Sequence, residues 1–341
     1  MTRRNTGRGF TAWSRRTWRG TAVVGVAVMA LTSTAWASAA SAAPKSHGGG
    51  GGGSATVTTG NDVSYPQCGS TLPSATAFGI VGVNGGLADT PNDCLGPVNN
   101  VLSSSELYWA LTTANGLTNQ PRASLYVNTA DPGNTYNGTV ITDWPTSGST
   151  PYGACTTTMV VLSDVTYTVG QNSPACAWQY GWNMATQDTG WLTAAATAID
   201  STTNSTTNSA TAPTSPGGYP WWLDVETANT WQSATTANGL EMNVADLQGM
   251  VSALQYAGVG TTGVDVVGAY STSYQWGQIV GNTDSSSLYG YSNNLYQIPD
   301  WIPGARSSSG AQSNCSLPSF TGGVVTVTQW FAHPIDGDVA C

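Results

Sequence analysis

The chain has 341 residues, with nine Lys and Arg against eighteen Asp and Glu. Six of the nine basic residues lie within the first 19 positions, so the rest of the chain sets three cations against eighteen acids, a net charge of −15. So few cations exclude nucleic-acid binding and electrostatic docking on anionic lipid. Apolar residues make up 40% of the chain and charged residues 8%, which excludes a disordered protein and allows a substantial core.

Residues 1–42 have the organisation of an export signal peptide. A basic head precedes the apolar run 21–31, which is too short to span a bilayer, and small residues then lead to a cleavage site after Ala42. Arg15 and Arg16 stand in a Ser-Arg-Arg-Thr-Trp sequence similar to twin-arginine signals, and an ordinary secretory signal is the alternative. We expect a secreted, extracellular protein with no membrane attachment after cleavage.

Two further segments follow the signal. Residues 43–54 form a Gly-rich linker, and residues 55–341 are predicted to be one domain, a usual size for a single α/β barrel. Within this domain, residues 201–218 are rich in Thr, Asn and Ser, which predicts an exposed low-complexity insertion before a strand.

Short apolar segments alternate with longer helical patterns along the domain. The predicted strands are residues 61–64, 78–83, 124–127, 221–225, 264–270, 295–301 and 324–329, and the predicted helices are residues 104–115, 175–185 with 192–199, 244–256 and 274–279. This alternation predicts an α/β fold of β/α units around a parallel sheet, either a closed barrel or an open doubly wound sheet. A dinucleotide-binding fold is not supported, because no G-x-G-x-x-G separates a strand from a helix.

All six cysteines lie in the exported part of the chain. An even number of cysteines in an oxidising compartment predicts three disulfides, for which 15 connectivities exist. We favour sequential pairing, because each bond then closes a modest loop: Cys68 with Cys94, Cys155 with Cys176, and Cys315 with Cys341. A zinc site is not expected, because there is no C-x-x-C and the histidines are His47 and His333.

The scarcity of histidine and lysine limits the chemistry. His47 and Lys45 lie in the linker, so a Ser-His-Asp or Schiff-base mechanism has almost no residues to use. Carboxylates, amides and aromatic rings remain, and reactions run by carboxylates without metal or cofactor point first to glycoside hydrolysis. We therefore expect no metal and no cofactor.

Residues 221–226, Trp-Trp-Leu-Asp-Val-Glu, are the strongest candidate motif. Asp224 and Glu226 are two apart on a predicted strand, so they point to the same side with Cα atoms about 6–7 Å apart. Repulsion and burial behind two tryptophans are expected to raise the pKa of one of them, as a general acid requires. The alternative is a D-x-E that merely ends a strand at the surface.

Three other acids are weaker candidates. Asp62 lies in the first predicted strand, where a turn-capping role is the alternative. Asp336 and Asp338 form a D-G-D sequence, which is normally a turn and is too short for a calcium loop.

These motifs occur in one order, which resembles that of the family 25 glycoside hydrolases, the secreted lysozymes of the Chalaropsis type. The long stretch 128–220 makes the chain also similar to the exported glycoside-hydrolase-like barrel proteins of actinobacteria. The segments that carry the resemblance are residues 61–67 (similar to D-V-S-x-x-Q), 78–83 (the second strand), 223–226 (D-x-E), 268–271 (G-x-Y-S) and 328–330 with 336–338 (the closing W-Q-Y and D-x-D).

The resemblance implies a single distorted TIM-type β/α barrel and N-acetylmuramidase activity on peptidoglycan or another glycan. It implies Glu226 as general acid and Asp224 as its partner, with Asp62 completing the catalytic set. Substrate-binding roles are expected for further residues around this set: Tyr65, Trp222 and Tyr270 as stacking walls, and Asn84, Gln329, Asp336 and Asp338 as polar contacts.

Two hypotheses from different classes follow. The first is a secreted, monomeric glycoside hydrolase acting on a polysaccharide. The second is an envelope protein that binds carbohydrate on the same barrel without catalysis, which the absence of acidic residues near Asn84 favours. A secreted inhibitor of other proteins fits the length and the alternating strands less well.

Overall fold

The computed structural model describes residues 58–136, 139–142, 144–162, 164–204, 211–281 and 285–341. The predicted signal peptide and linker, residues 1–54, lie outside the described residues. Within the described ranges, no helix combines the length and the apolarity that a membrane crossing requires.

These ranges contain five α-helices and sixteen strands. The helices are α1 (Glu106–Thr113), α2 (Pro174–Asn204), α3 (Gly239–Tyr256), α4 (Ser273–Ile279) and α5 (Ser308–Asn314). The strands are β1 (Thr59–Val63), β2 (Gly79–Gly82), β3 (Ala123–Asn128), β4 (Gly133–Tyr136), β5 (Thr139–Thr142), β6 (Gly148–Thr150), β7 (Gly153–Cys155), β8 (Thr157–Leu162), β9 (Val165–Gly170), β10 (Trp221–Asp224), β11 (Val267–Tyr270), β12 (Ser287–Leu288), β13 (Tyr291–Ser292), β14 (Asp300–Ala305), β15 (Val325–Trp330) and β16 (Asp336–Ala340).

Eight of the strands close into a barrel in the order β1-β16-β15-β14-β11-β10-β3-β2. Every neighbouring pair from β1 through β2, β3, β10, β11 and β14 to β15 is parallel. The last strand, β16, is antiparallel to both β15 and β1. The prediction of a closed α/β barrel is thus confirmed, with mixed rather than all-parallel closure.

The D-G-D sequence, residues 336–338, forms part of a strand and not the turn that its composition suggests. It begins the closing strand β16 instead of forming a turn, because it pairs with β15 on one side and β1 on the other. Gly337 lies where a side chain would collide with the indole of Trp330, so glycine is required there for close pairing rather than for a turn.

Glycines make room for aromatic rings inside the barrel. Tyr126 on β3 and Trp222 on β10 are paired neighbours, and they lie between Gly82 on β2 and Gly268 on β11 in one layer across four strands. A Cβ at Gly82 would be 2.9 Å from the Tyr126 hydroxyl, and one at Gly268 would collide with the Trp222 ring. The barrel interior is therefore filled by side chains and is not a pore.

The outer face of the barrel packs against the helices. Trp221 and Leu223, which alternate with the inward Trp222, are fully buried in a core that includes Leu192 of α2 and Leu247 of α3. The two helical patterns predicted at 175–185 and 192–199 are one continuous helix of 31 residues.

The three disulfides pair as the sequence predicted. Cys68 is bonded to Cys94, Cys155 to Cys176 and Cys315 to Cys341, and no described cysteine is free. The last bond ties the chain end, just after β16, to the segment that follows α5. Such bonds are typical of proteins that fold in oxidising compartments.

The region between β3 and β10 departs most from the prediction. It contains three hairpins before α2, formed by β4 with β5, β6 with β7, and β8 with β9. The predicted insertion at 201–218 begins inside α2, and residues 205–210 lie outside the described ranges. Its described part is mostly exposed, except that Thr203 and Ala212 are buried.

We predict that Gly268→Ala destabilises the protein by about 1–3 kcal/mol, because the added methyl group overpacks the barrel interior against Trp222. Urea unfolding followed by tryptophan fluorescence measures this change. Gly190→Ala on α2 is the matched control, since its Cβ meets nothing and alanine favours the helix. Equal stability of the two variants would contradict this interior packing.

Candidate active site

The carboxyl ends of the parallel strands open into a cavity of about 90 Å³, here called the acid cavity. It collects side chains from six barrel strands and from the residues just after β1 and β10, which is where barrel folds place functional groups. Its lining residues are Asp62, Ser64, Tyr126, Asp224, Glu226, Tyr270, Trp301 and Gln329.

Asp62 and Asp338 are two buried carboxyls in direct contact. The closing strand β16 places Asp338 next to β1, and the Asp338 side chain is hydrogen-bonded to that of Asp62. Burial is the main cause that raises the pKa of Asp62 to about 6 and the pKa of Asp338 well above its usual value. Asp338 Oδ2 has no protein N–H or O–H to accept from, so we assign a proton to Asp338, which it donates to the Asp62 carboxylate.

Polar neighbours fix the orientation of this pair. Trp301 Nε1 donates to Asp338 Oδ1 over 3.0 Å, and Gln329 Nε2 donates to Asp62 Oδ2 over 2.9 Å. Tyr270 Oη donates to Gln329 Oε1 over 3.1 Å, which holds the amide nitrogen of Gln329 toward Asp62. Ser64 Oγ donates to the other oxygen of Asp62 over 3.2 Å.

Asp224 and Glu226 line the acid cavity together, as their spacing predicted. Asp224 is only 9% exposed, whereas Glu226 is half-buried at the end of the strand. Burial, followed by the charge of Glu226, raises the pKa of Asp224 well above its usual value. Asn128 Nδ2 donates to Asp224 Oδ2 over 3.2 Å, and Asp224 Oδ1 has no partner. Asp224, the deeper acid, therefore binds its proton more tightly than an ordinary aspartate does.

The structure places three of the predicted substrate-binding residues, Trp222, Asn84 and Tyr65, outside the lining of the acid cavity. Trp222 is 3% exposed and packs against Trp301 inside the barrel, so it supports the cavity from below instead of forming a stacking wall. Asn84 is fully buried, and its side chain bonds both the N–H and the carbonyl of Asn128, so it joins β2 to β3. Tyr65 is 60% exposed and lies outside the lining of the acid cavity.

Asp336 lies at the edge of the site. It is half-buried, it accepts from the N–H of Ala332 over 2.9 Å, and its charge contributes to the raised pKa of Asp62. Its contribution is electrostatic, since it does not line the acid cavity.

Four lining or supporting residues were not predicted from the sequence: Ser64, Tyr126, Trp301 and Asn128. Tyr126 and Asn128 are two apart on β3, the same spacing as Asp224 and Glu226, and this signal was available in the sequence. Tyr126 Oη is buried without a partner inside the cavity. Trp301 was assigned to a strand whose observed start, Asp300, is five residues later than predicted.

A second and larger cavity adjoins the acid cavity. It has a volume of about 540 Å³, and it is here called the amide groove. Asn128 connects the two, since it lines the groove and donates to Asp224. The groove is lined by Leu87, Ala88, Asp89, Asn128, Ala130, Asp131, Pro132, Pro145, Tyr180, Asn183, Met184, Ala228, Asn229 and Thr230.

Comparisons with protein-family models, with curated proteins and with solved structures found no match to this chain. Among the described residues, no group of three or more His, Cys, Asp or Glu side chains is arranged to hold a metal ion. The acid cavity offers carboxyl, amide, hydroxyl and aromatic groups.

We predict that the protein is more stable in mild acid than at alkaline pH. Burial raises the pKa of Asp62 to about 6 and raises the pKa of Asp224 and of Asp338 well above the usual value, so the folded state holds protons that the unfolded chain releases near pH 4. That stability is complete below about pH 4 and is lost as the pH rises through the folded pKa values. Calorimetry is expected to show Tm falling by at least about 5 °C from pH 5 to pH 8.

The Asp338→Asn variant isolates the contribution of the Asp62 and Asp338 pair to the pH dependence of stability. An asparagine donates permanently to Asp62 and accepts from Trp301, so we expect it to fold and to give a shallower fall of Tm with pH. A Tm that rises between pH 5 and pH 8 in the parent protein, or a steeper fall in the variant, would contradict protonation of Asp338.

Proposed function

We propose that the protein is a secreted glycoside hydrolase that cleaves a cell-wall or related polysaccharide by carboxyl-based acid catalysis, on a distorted TIM-type barrel. The observation that carries the proposal is the acid cavity, where Asp62, Asp224 and Glu226 meet beside three aromatic rings. The lysozyme-like motif order supports the same reaction class. Hydrolysis of glycosidic bonds needs two such carboxyl groups and no cofactor.

Glu226 is the proposed proton donor, because it is the less buried acid at the end of the strand. Its proton passes to the glycosidic oxygen as the bond from that oxygen to the anomeric carbon breaks. Asp224, which binds its proton tightly, donates from Oδ1 to a substrate oxygen such as a sugar hydroxyl or an acetamido carbonyl and thereby fixes the sugar next to Glu226. Water then adds to the anomeric carbon and returns a proton to Glu226.

The Asp62 and Asp338 pair acts as a fixed electrostatic support in this proposal. Its single negative charge on Asp62 faces the cavity and favours the oxocarbenium-like transition state. Tyr270 has two roles, since its ring packs 4.5 Å from that of Trp301 and its hydroxyl holds Gln329 in place. Secretion is proposed from the signal-like first 42 residues and from the three disulfides.

We predict that Glu226→Gln lowers the rate of glycan cleavage by at least about 100-fold, because glutamine has no proton to give. Release of reducing ends from peptidoglycan and from chitin-type polymers measures the rate. Glu241→Gln is the matched control, since Glu241 lies on α3 and lines neither cavity, and it is expected to keep full activity. Full activity of Glu226→Gln would reject the assignment.

A glycan-binding protein without catalysis is the second candidate. The larger size of the amide groove relative to the acid cavity favours this candidate. Asn84 favours it too, because its amide has a structural role at a position where the glycoside hydrolases that the chain resembles carry charged residues. Saturable binding of glycans with no turnover by the parent protein, and equal binding by Glu226→Gln, would establish this second candidate.

A further inference from the structure

We propose that the amide groove holds the body of the glycan chain and selects amino sugars that are uncharged or positively charged, in preference to anionic sugars. The inference rests on the proposed function, since it assigns the substrate class of the same site. It depends on the sizes of the two cavities, on their connection through Asn128 and on the charge of the groove.

The acid cavity is smaller than the sites that usually hold a whole ligand. Its volume of about 90 Å³ equals about three water molecules at their share of liquid volume, about 30 Å³ each. It has room for a glycosidic oxygen with a water molecule or one small substituent. The amide groove, at about 540 Å³, falls in the usual range of ligand sites, about 300–1,000 Å³. The rings of a bound glycan therefore have room in the groove.

Hydrogen bonds hold the floor of the amide groove next to Asp224 and Glu226. Thr129 Oγ1 donates to the main-chain carbonyl of Asp224 over 2.6 Å, and Asn229 Nδ2 donates to the carbonyl of Thr129 over 2.9 Å. Thr230 Oγ1 closes the same seam by donating to the carbonyl of Asp131 over 2.8 Å. These bonds join the loops after β3 and β10, so a chain seated in the groove ends next to Asp224 and Glu226.

Asn128 supplies a specific contact at the junction. Its side chain is only 8% exposed, its Nδ2 donates to Asp224, and its Oδ1 is buried with no hydrogen-bond partner among the described residues. A buried acceptor without a donor is costly unless a ligand supplies one. Sugar hydroxyl, acetamido N–H and ammonium groups are all suitable donors.

The charge of the groove determines which sugars it accepts. Its acidic lining residues are Asp89, which is exposed, and Asp131, which is buried. The two arginines of the described chain, Arg122 and Arg306, are exposed and line neither cavity. An anionic sugar would therefore face carboxyl groups without any compensating cation, whereas an ammonium group would be attracted. Carboxylated glycans and peptide-bearing strands are disfavoured on this basis.

The test measures binding by calorimetry at low salt with the protein that carries Glu226→Gln, so that turnover does not interfere. The probes are a hexamer of N-acetylglucosamine, a hexamer of glucosamine, a hexamer of galacturonate and a soluble peptidoglycan strand with its peptides. We expect both amino-sugar hexamers to bind at least tenfold more tightly than either anionic probe. Equal or tighter binding of an anionic probe would overturn the proposal.

Two added variants locate the binding in the groove. Asp89→Lys is expected to weaken glucosamine hexamer binding at least fivefold, and Ala228→Trp, which fills an exposed part of the groove, to weaken both amino-sugar hexamers at least tenfold. Thr197→Lys on the exposed face of α2 is the control, because it introduces a lysine outside the groove. If Asp89→Lys and Thr197→Lys behave alike, or if Ala228→Trp binds normally, the groove assignment is wrong.

The outcome is separable from that of the proposed function. The expected binding pattern without hydrolysis by the parent protein would reject the glycosidase and keep the groove assignment. Hydrolysis by the parent protein together with preferred binding of anionic strands would keep the glycosidase and reject the groove assignment.

Discussion

A proton held between two buried carboxyls is the interaction on which the site depends. The closing strand brings Asp62 and Asp338 into contact. Two negative charges in contact inside a barrel would repel each other strongly. The proton on Asp338 removes one charge and supplies a hydrogen bond, so the barrel can close. The remaining charge on Asp62 is then aimed by Gln329 and Ser64 into the cavity that Asp224 and Glu226 share.

The same principle applies to buried acids outside the cavity. Asp131 and Asp246 form a second carboxyl pair, in which burial raises the pKa of Asp131 to about 6 and that of Asp246 well above its usual value. Asp188 on α2 is fully buried, and burial alone raises its pKa. A chain with eighteen acids and very few cations cannot neutralise buried carboxyls by ion pairing, so protonation takes that role. Such a protein is suited to acidic surroundings.

Much of this arrangement was predictable from local patterns. The D-x-E spacing placed Asp224 and Glu226 on one side of a strand, and modest loop lengths gave the correct disulfide pairs. The closing strand was not predictable in the same way, because D-G-D has the composition of a turn and pairs only through contacts with β1 and β15. Helix α5 has few apolar residues, with only Ala311 buried, so periodicity gave no signal for it. Likewise, nothing in the sequence indicated that Trp222 is buried while Tyr270 lines the acid cavity, because this difference depends on the neighbouring strands.

Site-resolved titration of the carboxyl groups tests the central claim most directly. NMR of the protein with ¹³C-labelled Asp and Glu, followed from about pH 3 to about pH 9, reports the protonation of each side chain. We predict that Asp224 and Asp338 release their protons at a higher pH than an ordinary aspartate does, with Asp62 titrating near pH 6. Ordinary titration of all three near pH 4 would contradict it.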